Sequence, residues 1–140
     1  MSDGHHVVST VFMECGAIYR AEGPVAEAPL GETEFVNGIA AMSASGQYGP
    51  ARACAGIVGF ADLSLGVNVG PILDAHMALS PRFRGIRHAA GWDASDAVRN
   101  SHTKPPQHLL GADTLRQGLA ELEKRKTLFF IIYRFWFRTK

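Results

Sequence analysis

Apolar residues along this chain fall into short unbroken runs, separated by stretches in which they recur every three or four positions. Residues 7–14, VVSTVFME, are rich in β-branched side chains and end at Cys-Gly, which predicts a largely buried first strand. Residues 53–61, ACAGIVGFA, are apolar and almost uncharged, the pattern of a strand covered on both faces. Residues 83–89, FRGIRHA, predict a third strand.

Helical periods lie between and after these runs. Glu32, Thr33 and Glu34 set carboxylates at the positive end of a helix dipole, ahead of Phe35, Val36, Ile39, Ala40 and Met42 at helical spacing, with an end near Ala44. Val67, Val69, Ile72, Leu73 and Met77 share a second helical face, with regular helix from about Val69 and Pro71 in its first turn. Asp113 is positioned to cap a third helix that runs to about Lys124 with Leu115, Leu119 and Leu122 inward. Residues 19–31 and 92–111, rich in glycine, proline and polar groups, read as long loops.

Alternating strand and helix predicts an α/β fold of parallel strands joined by right-handed crossovers. Periodicity does not separate an open doubly wound sheet from a slice of a barrel. No strand is followed by a glycine-rich dinucleotide fingerprint or a phosphate loop, which weighs against the nucleotide-binding open sheets.

At 140 residues the chain is long enough for one domain with its own core, and a net charge of +1 with scattered charges gives no field that would draw nucleic acid. Cys15 and Cys54 match neither a zinc nor a redox spacing and read as small buried apolar residues of a reducing compartment. The start, MSDGHHVV, lacks a basic segment followed by a long apolar run, and the apolar cluster LFFIIYRFWF is interrupted by Arg134 and too short for a bilayer. A cytoplasmic protein without a membrane segment is the expectation.

In either architecture, ligands sit beyond the carboxyl ends of the strands. That rule selects Glu14 and Cys15 after the first strand, Asp62 after the second, and Arg87, His88, Trp92 and Asp93 after the third. Arg87 can hold a substrate carboxylate through two parallel hydrogen bonds, or can form a salt bridge to Glu14 or Asp62. His88 faces the other side of a regular strand, as a functional group or as a hydrogen-bonded structural histidine. Cys15 has no local motif for a nucleophile and reads as core packing. His5 and His6 are adjacent, so their imidazoles diverge and do not make a metal pair; His76, His102 and His108 read as surface residues.

The segments VVSTVFMECGAIYRAEGP, GETEFVNGIAAMSASGQYGP, ACAGIVGFADLSLG and FRGIRHAAGWD resemble consecutive stretches of the amidohydrolase-related family of metal-dependent barrel hydrolases, and most of all its lactonase-like group. The resemblance spans residues 4–123 and implies an eightfold (β/α)8 TIM barrel, of which this chain holds three to four strand and helix units as an incomplete barrel. It implies water attack on a lactone, ester or amide of a small acidic substrate, with a divalent metal such as zinc, or an aspartate, activating the water. The family's His-x-His pair belongs to a strand ahead of residues 7–14, and its further histidine and aspartate to strands beyond residue 124. The metal ligands are therefore expected to be missing here, and the chain to be inactive by itself. Arg87, in RGIR, matches the strand where lactonase-like relatives carry an arginine for the substrate acid, and Glu14 and His88 join it as substrate-binding candidates; no catalytic residue is assigned.

Residues 1–125 thus read as a barrel segment and residues 126–140 as a divergent aromatic tail, KTLFFIIYRFWFRTK, which does not resemble the family's continuation. A shifted reading frame is one origin for it. The other reading is a genuine strand beside the third, since TLFFIIY has the propensity. Exposed strand edges would then favour self-association. A reading of another class is a free-standing α/β module that binds a small ligand or a protein.

Overall fold

A computed structural model describes residues 4–95, 97 and 104–132, the side chain of residue 132 excepted. Strands β1 (Ser9–Met13), β2 (Arg52–Gly59), β3 (Phe83–Ala89) and β4 (Leu128–Ile132) form one sheet in the order β1-β2-β3-β4, every pairing parallel. Helices α1 (Leu30–Ala44), α2 (Gly70–Leu79) and α3 (Asp113–Lys124) alternate with the strands, as the hydrophobic pattern predicts. The fourth strand is the strand alternative for the aromatic segment; residues 133–140 lie outside the described residues.

The sheet advances one strand at a time in one direction. Crossovers of one hand then put their helices on one face. The helices pack in series, α1 against β2 and α2, α2 against α3, and α3 against β4 and the 3-10 segment Leu63–Val69. The core lies between, with Leu30, Leu63, Leu73, Ile86, Leu115 and Leu122 at most 2% exposed.

Two close approaches set this packing. A Cβ at Gly118 of α3 would overlap the Leu63 carbonyl, and a Cβ at Gly85 of β3 would overlap the backbone of Leu128. Glycine at these positions lets backbone meet backbone.

Several faces differ from the expectations. The first strand is exposed rather than buried, with Val11 63% exposed, because it is a sheet edge and its register partner Gly56 offers no side chain. In β2 the register slips by two residues opposite Ser9–Val11, with Cys54 at φ 52° and its N–H donated to Thr10 Oγ1. That bulge turns the first half of β2 outward and leaves only Gly56–Gly59 fully buried. Helix α1 exposes Phe35 and Met42 and buries Glu32, Thr33 and Ser43 beside Val36 and Ala40. Helix α2 exposes Met77 and buries His76, and Val67, expected on the same face, is exposed in the 3-10 segment ahead of it. Asp113 does not cap α3: Ala112 holds the cap position, and Asp113 pairs with Arg116 in the first turn.

No helix among the described residues is long and apolar enough to cross a membrane.

Candidate functional site

The carboxyl ends of the strands bring four of the expected residues together as two pairs, Arg87 with Glu14, one of the two acids expected for it, and His88 with Asp62, a pairing the sequence did not suggest. Just past β1, the Glu14 N–H donates to the Val58 carbonyl at 2.9 Å, which carries the pairing with β2 one residue further and fixes the backbone. Arg87, near the end of β3, donates from Nε to Glu14 Oε1 at 2.9 Å and from Nη2 to the Glu14 carbonyl. One guanidinium therefore crosses β2 and ties the end of β3 to the end of β1. The Glu14 side chain is 3% exposed and that of Arg87 25%. A carboxylate so far from water needs this cation and its donors.

Arg87 and His88 turn to different partners, as alternation along a strand requires. His88 Nε2 lies 3.5 Å from Asp62 Oδ1, its Nδ1 lies 3.0 Å from the Ala89 carbonyl, and its ring meets Phe60 with centroids 5.5 Å apart. Both ring nitrogens thus face oxygen atoms of the protein. Asp62 Oδ1 also accepts from the backbone N–H and hydroxyl of Ser64, at 2.9 and 2.6 Å, capping the 3-10 segment. The hydrogen bond from His88, with those from Ser64, holds the Asp62 carboxyl down at about 2 despite partial burial.

Beside Glu14 the structure assembles groups that the sequence pattern did not flag. Glu32, on the buried side of α1 rather than serving its dipole, accepts through Oε1 from Cys15 N–H at 3.1 Å, Ala17 N–H at 3.0 Å and the Cys15 thiol at 3.3 Å. It pins the loop that leaves β1. Cys15 is exposed, not packed in the core, and the bond to Glu32 raises its thiol pKa, which disfavours a thiolate nucleophile. Burial and the nearby Glu14 and Glu32 carboxylates push the Tyr19 phenol up as well. Glu32 Oε2 and the Tyr19 hydroxyl are buried without a hydrogen-bond partner among the described residues.

His76 is the largest departure from the surface role expected of it. It is fully buried, stacks on Phe83 at 5.0 Å, donates from Nε2 to the Phe60 carbonyl at 3.0 Å and accepts at Nδ1 from Thr33 at 2.8 Å. Desolvation lowers its pKa to about 4, so it is neutral and fully satisfied. The sequence signal for it is position: His76 sits one turn beyond Leu73 and Ile72 on the α2 face that meets the sheet.

A cleft of about 550 Å³ opens between the loops that follow the first three strands, with Tyr19, Phe60, Asp62, Leu65, His88 and Leu109 on its walls. Trp92 lines a separate hollow with His108, and Asp93 accepts from the Ser95 N–H; neither joins the two pairs. His5 and His108 are exposed, and His102 lies outside the described residues.

The described residues do not fit the divalent metal that the sequence resemblance implies: among them no group of three or more His, Cys, Asp and Glu side chains could hold one. Neither a family model, a curated protein nor a solved structure matches this chain.

Proposed function

We propose that this chain is a segment of a β/α-barrel hydrolase of the amidohydrolase-related, lactonase-like kind, which holds a small acidic lactone, ester or amide at the carboxyl ends of its strands through Arg87. In this reading Glu14 is the carboxylate that occupies Arg87 until a substrate acid competes for it, and His88 with Asp62 walls the neighbouring cleft. The observation that carries the reading is the Arg87 guanidinium at the mouth of a sequentially ordered parallel sheet, a quarter exposed and holding a carboxylate oxygen of Glu14 through Nε. Water attack on a carbonyl needs a group to activate the water, and we assign none here; the isolated chain is expected to bind but not to turn over.

A second reading, a free-standing module that binds a small ligand, is favoured by one specific observation. Glu14 engages both Nε and Nη2 of Arg87, so this arginine serves as a tie between strands, and the cleft of about 550 Å³ beside it is left as the place for a ligand.

Calorimetric titration with succinate, and an assay of the same protein on a panel of small lactones, separate the two. Succinate binding that weakens at least tenfold in Arg87→Ala, with no lactone hydrolysis above background, supports the first reading. Absence of succinate binding to the folded wild-type chain removes the acidic-substrate assignment, and turnover of a lactone removes the expectation of inactivity.

A further inference from the structure

The cleft between the three loops has a chemical bias of its own, independent of Arg87. Its walls are mainly apolar, formed by Phe60, Leu65, Pro105 and Leu109 among others, and about 550 Å³ accommodates a ligand built on one aromatic ring. The side-chain polar atoms it presents are acceptors. Asp62 lines the cleft as a carboxylate with 46% of its side chain exposed, and Oδ1 carries the bonds from Ser64 and His88, while Oδ2 has no hydrogen bond among the described residues. The Ser64 hydroxyl spends its proton on Asp62 and has lone pairs left over. His88 is just 5% exposed on its side chain, and its two nitrogens face Ala89 O and Asp62, so neither offers an N–H to the cleft. The Tyr19 hydroxyl is buried beneath the wall and does not reach the opening.

A cavity with apolar walls whose accessible side-chain polar atoms are acceptors favours a ligand that donates. We propose that this cleft is a binding site for a small amine, an apolar or aromatic body carrying a protonated amino group that donates to Asp62. A carboxylate on the same body is rejected, because it meets the Asp62 charge at close range in a poorly hydrated recess. An alcohol is intermediate: it donates one hydrogen bond without the charge assistance that about doubles its strength.

The test holds the body constant and changes the head. Benzylamine, benzyl alcohol and benzoate are titrated into the intact chain by calorimetry and by chemical-shift mapping at neutral pH. Benzylamine is expected to bind at least tenfold more tightly than benzyl alcohol, to shift the resonances of Leu65 and Leu109, and to outcompete benzoate completely. Asp62→Asn is expected to erase the preference for the amine. Because Asp62 also caps a 3-10 segment, a second variant guards against misfolding: Val25→Trp, at a rim position 90% exposed, fills the opening and is expected to weaken benzylamine at least tenfold with the circular dichroism spectrum unchanged. Arg87→Ala is expected to leave benzylamine binding as in wild type, so failure of the acidic-substrate reading and failure of this one are distinguishable. Benzoate binding as tightly as benzylamine, or benzylamine binding unaltered by Val25→Trp in the folded protein, would overturn the proposal.

Discussion

At the scale of single residues, buried polar groups and glycines carry the sharpest consequences. Folding holds His76 neutral, so as pH falls below the ordinary imidazole value of 6.5 the unfolded chain takes up a proton that the folded chain refuses until about pH 4. Stability is fully present above that window, declines through it by about 3 kcal/mol, and chemical denaturation at a series of pH values measures the loss. In His76→Gln the decline across the same window is expected to flatten. Thr33→Val, which leaves Nδ1 of a fully buried ring without its donor, is expected to cost about 1–3 kcal/mol. Two glycines make a paired comparison. Gly118→Ala forces a Cβ into the Leu63 carbonyl and is expected to destabilise by about 3 kcal/mol, whereas Gly38→Ala on the open side of α1 meets nothing within 4 Å and is expected to stabilise by about 0.4–1 kcal/mol. Equal denaturation midpoints for the two alanine variants would contradict the close approach of α3 to the 3-10 segment. Little of this was legible in the sequence, where His76 reads as a surface residue of an amphipathic helix. Its place one turn beyond Ile72 and Leu73 is the one sequence signal of burial, and the partners that satisfy the ring, Thr33 and Phe60, are brought to it by the fold from 43 and 16 residues away.

At the scale of elements, the hydrophobic pattern told the kind of each strand and helix well and told exposure poorly. Phe83–Ala89 coincides with its prediction, and Pro71 does sit in the first turn of α2, because these depend on local propensity and proline geometry. The exposure of β1 depends instead on having β2 on one side alone, and the outward turn of β2 depends on a bulge at Cys54 that no residue in ACAGIVGFA announces. The join between helices was equally hidden: Arg125 donates to both carboxylate oxygens of Asp74, at 2.6 and 2.8 Å, and to Glu121 Oε2 at 2.6 Å, locking the end of α3 to α2. Replacing Arg125 with alanine is expected to lower the melting temperature and to do so less at high salt, where wild type has already lost part of the attraction. An equal drop at all salt concentrations would assign the loss to packing of the arginine stem instead. Exposed Val7, Val8 and Val11 make the β1 edge the natural place for self-association, and Val11→Lys is expected to suppress any concentration-dependent growth in size seen by light scattering.

For the molecule as a whole, the rule that ligands gather at the carboxyl ends of parallel strands selected Glu14, Asp62, Arg87 and His88 before any geometry was known, and the fold joins them as two pairs across neighbouring strands. The rule picked out residues that meet at one end of the sheet because chain direction is written in the order of elements, although Trp92 and Asp93, which it also selected, join neither pair. It could not reveal that Arg87 would turn to Glu14, since a guanidinium at a strand end reaches a carboxylate of the protein as readily as one of a ligand. Glu32 and Tyr19, which crowd the same corner, escaped notice because a glutamate in a first helical turn has a sufficient explanation in the helix dipole. What unites the sheet, the corner and the proposed binding of acids is the reach of Arg87 across β2 to Glu14, and a double-mutant cycle measures it directly. With Glu14→Gln, Arg87→Met and the double variant unfolded in denaturant, the expected coupling is about 1–3 kcal/mol, with either single change costing nearly as much as both together. Strictly additive losses would mean that the two side chains do not meet, and the site built on them would fall.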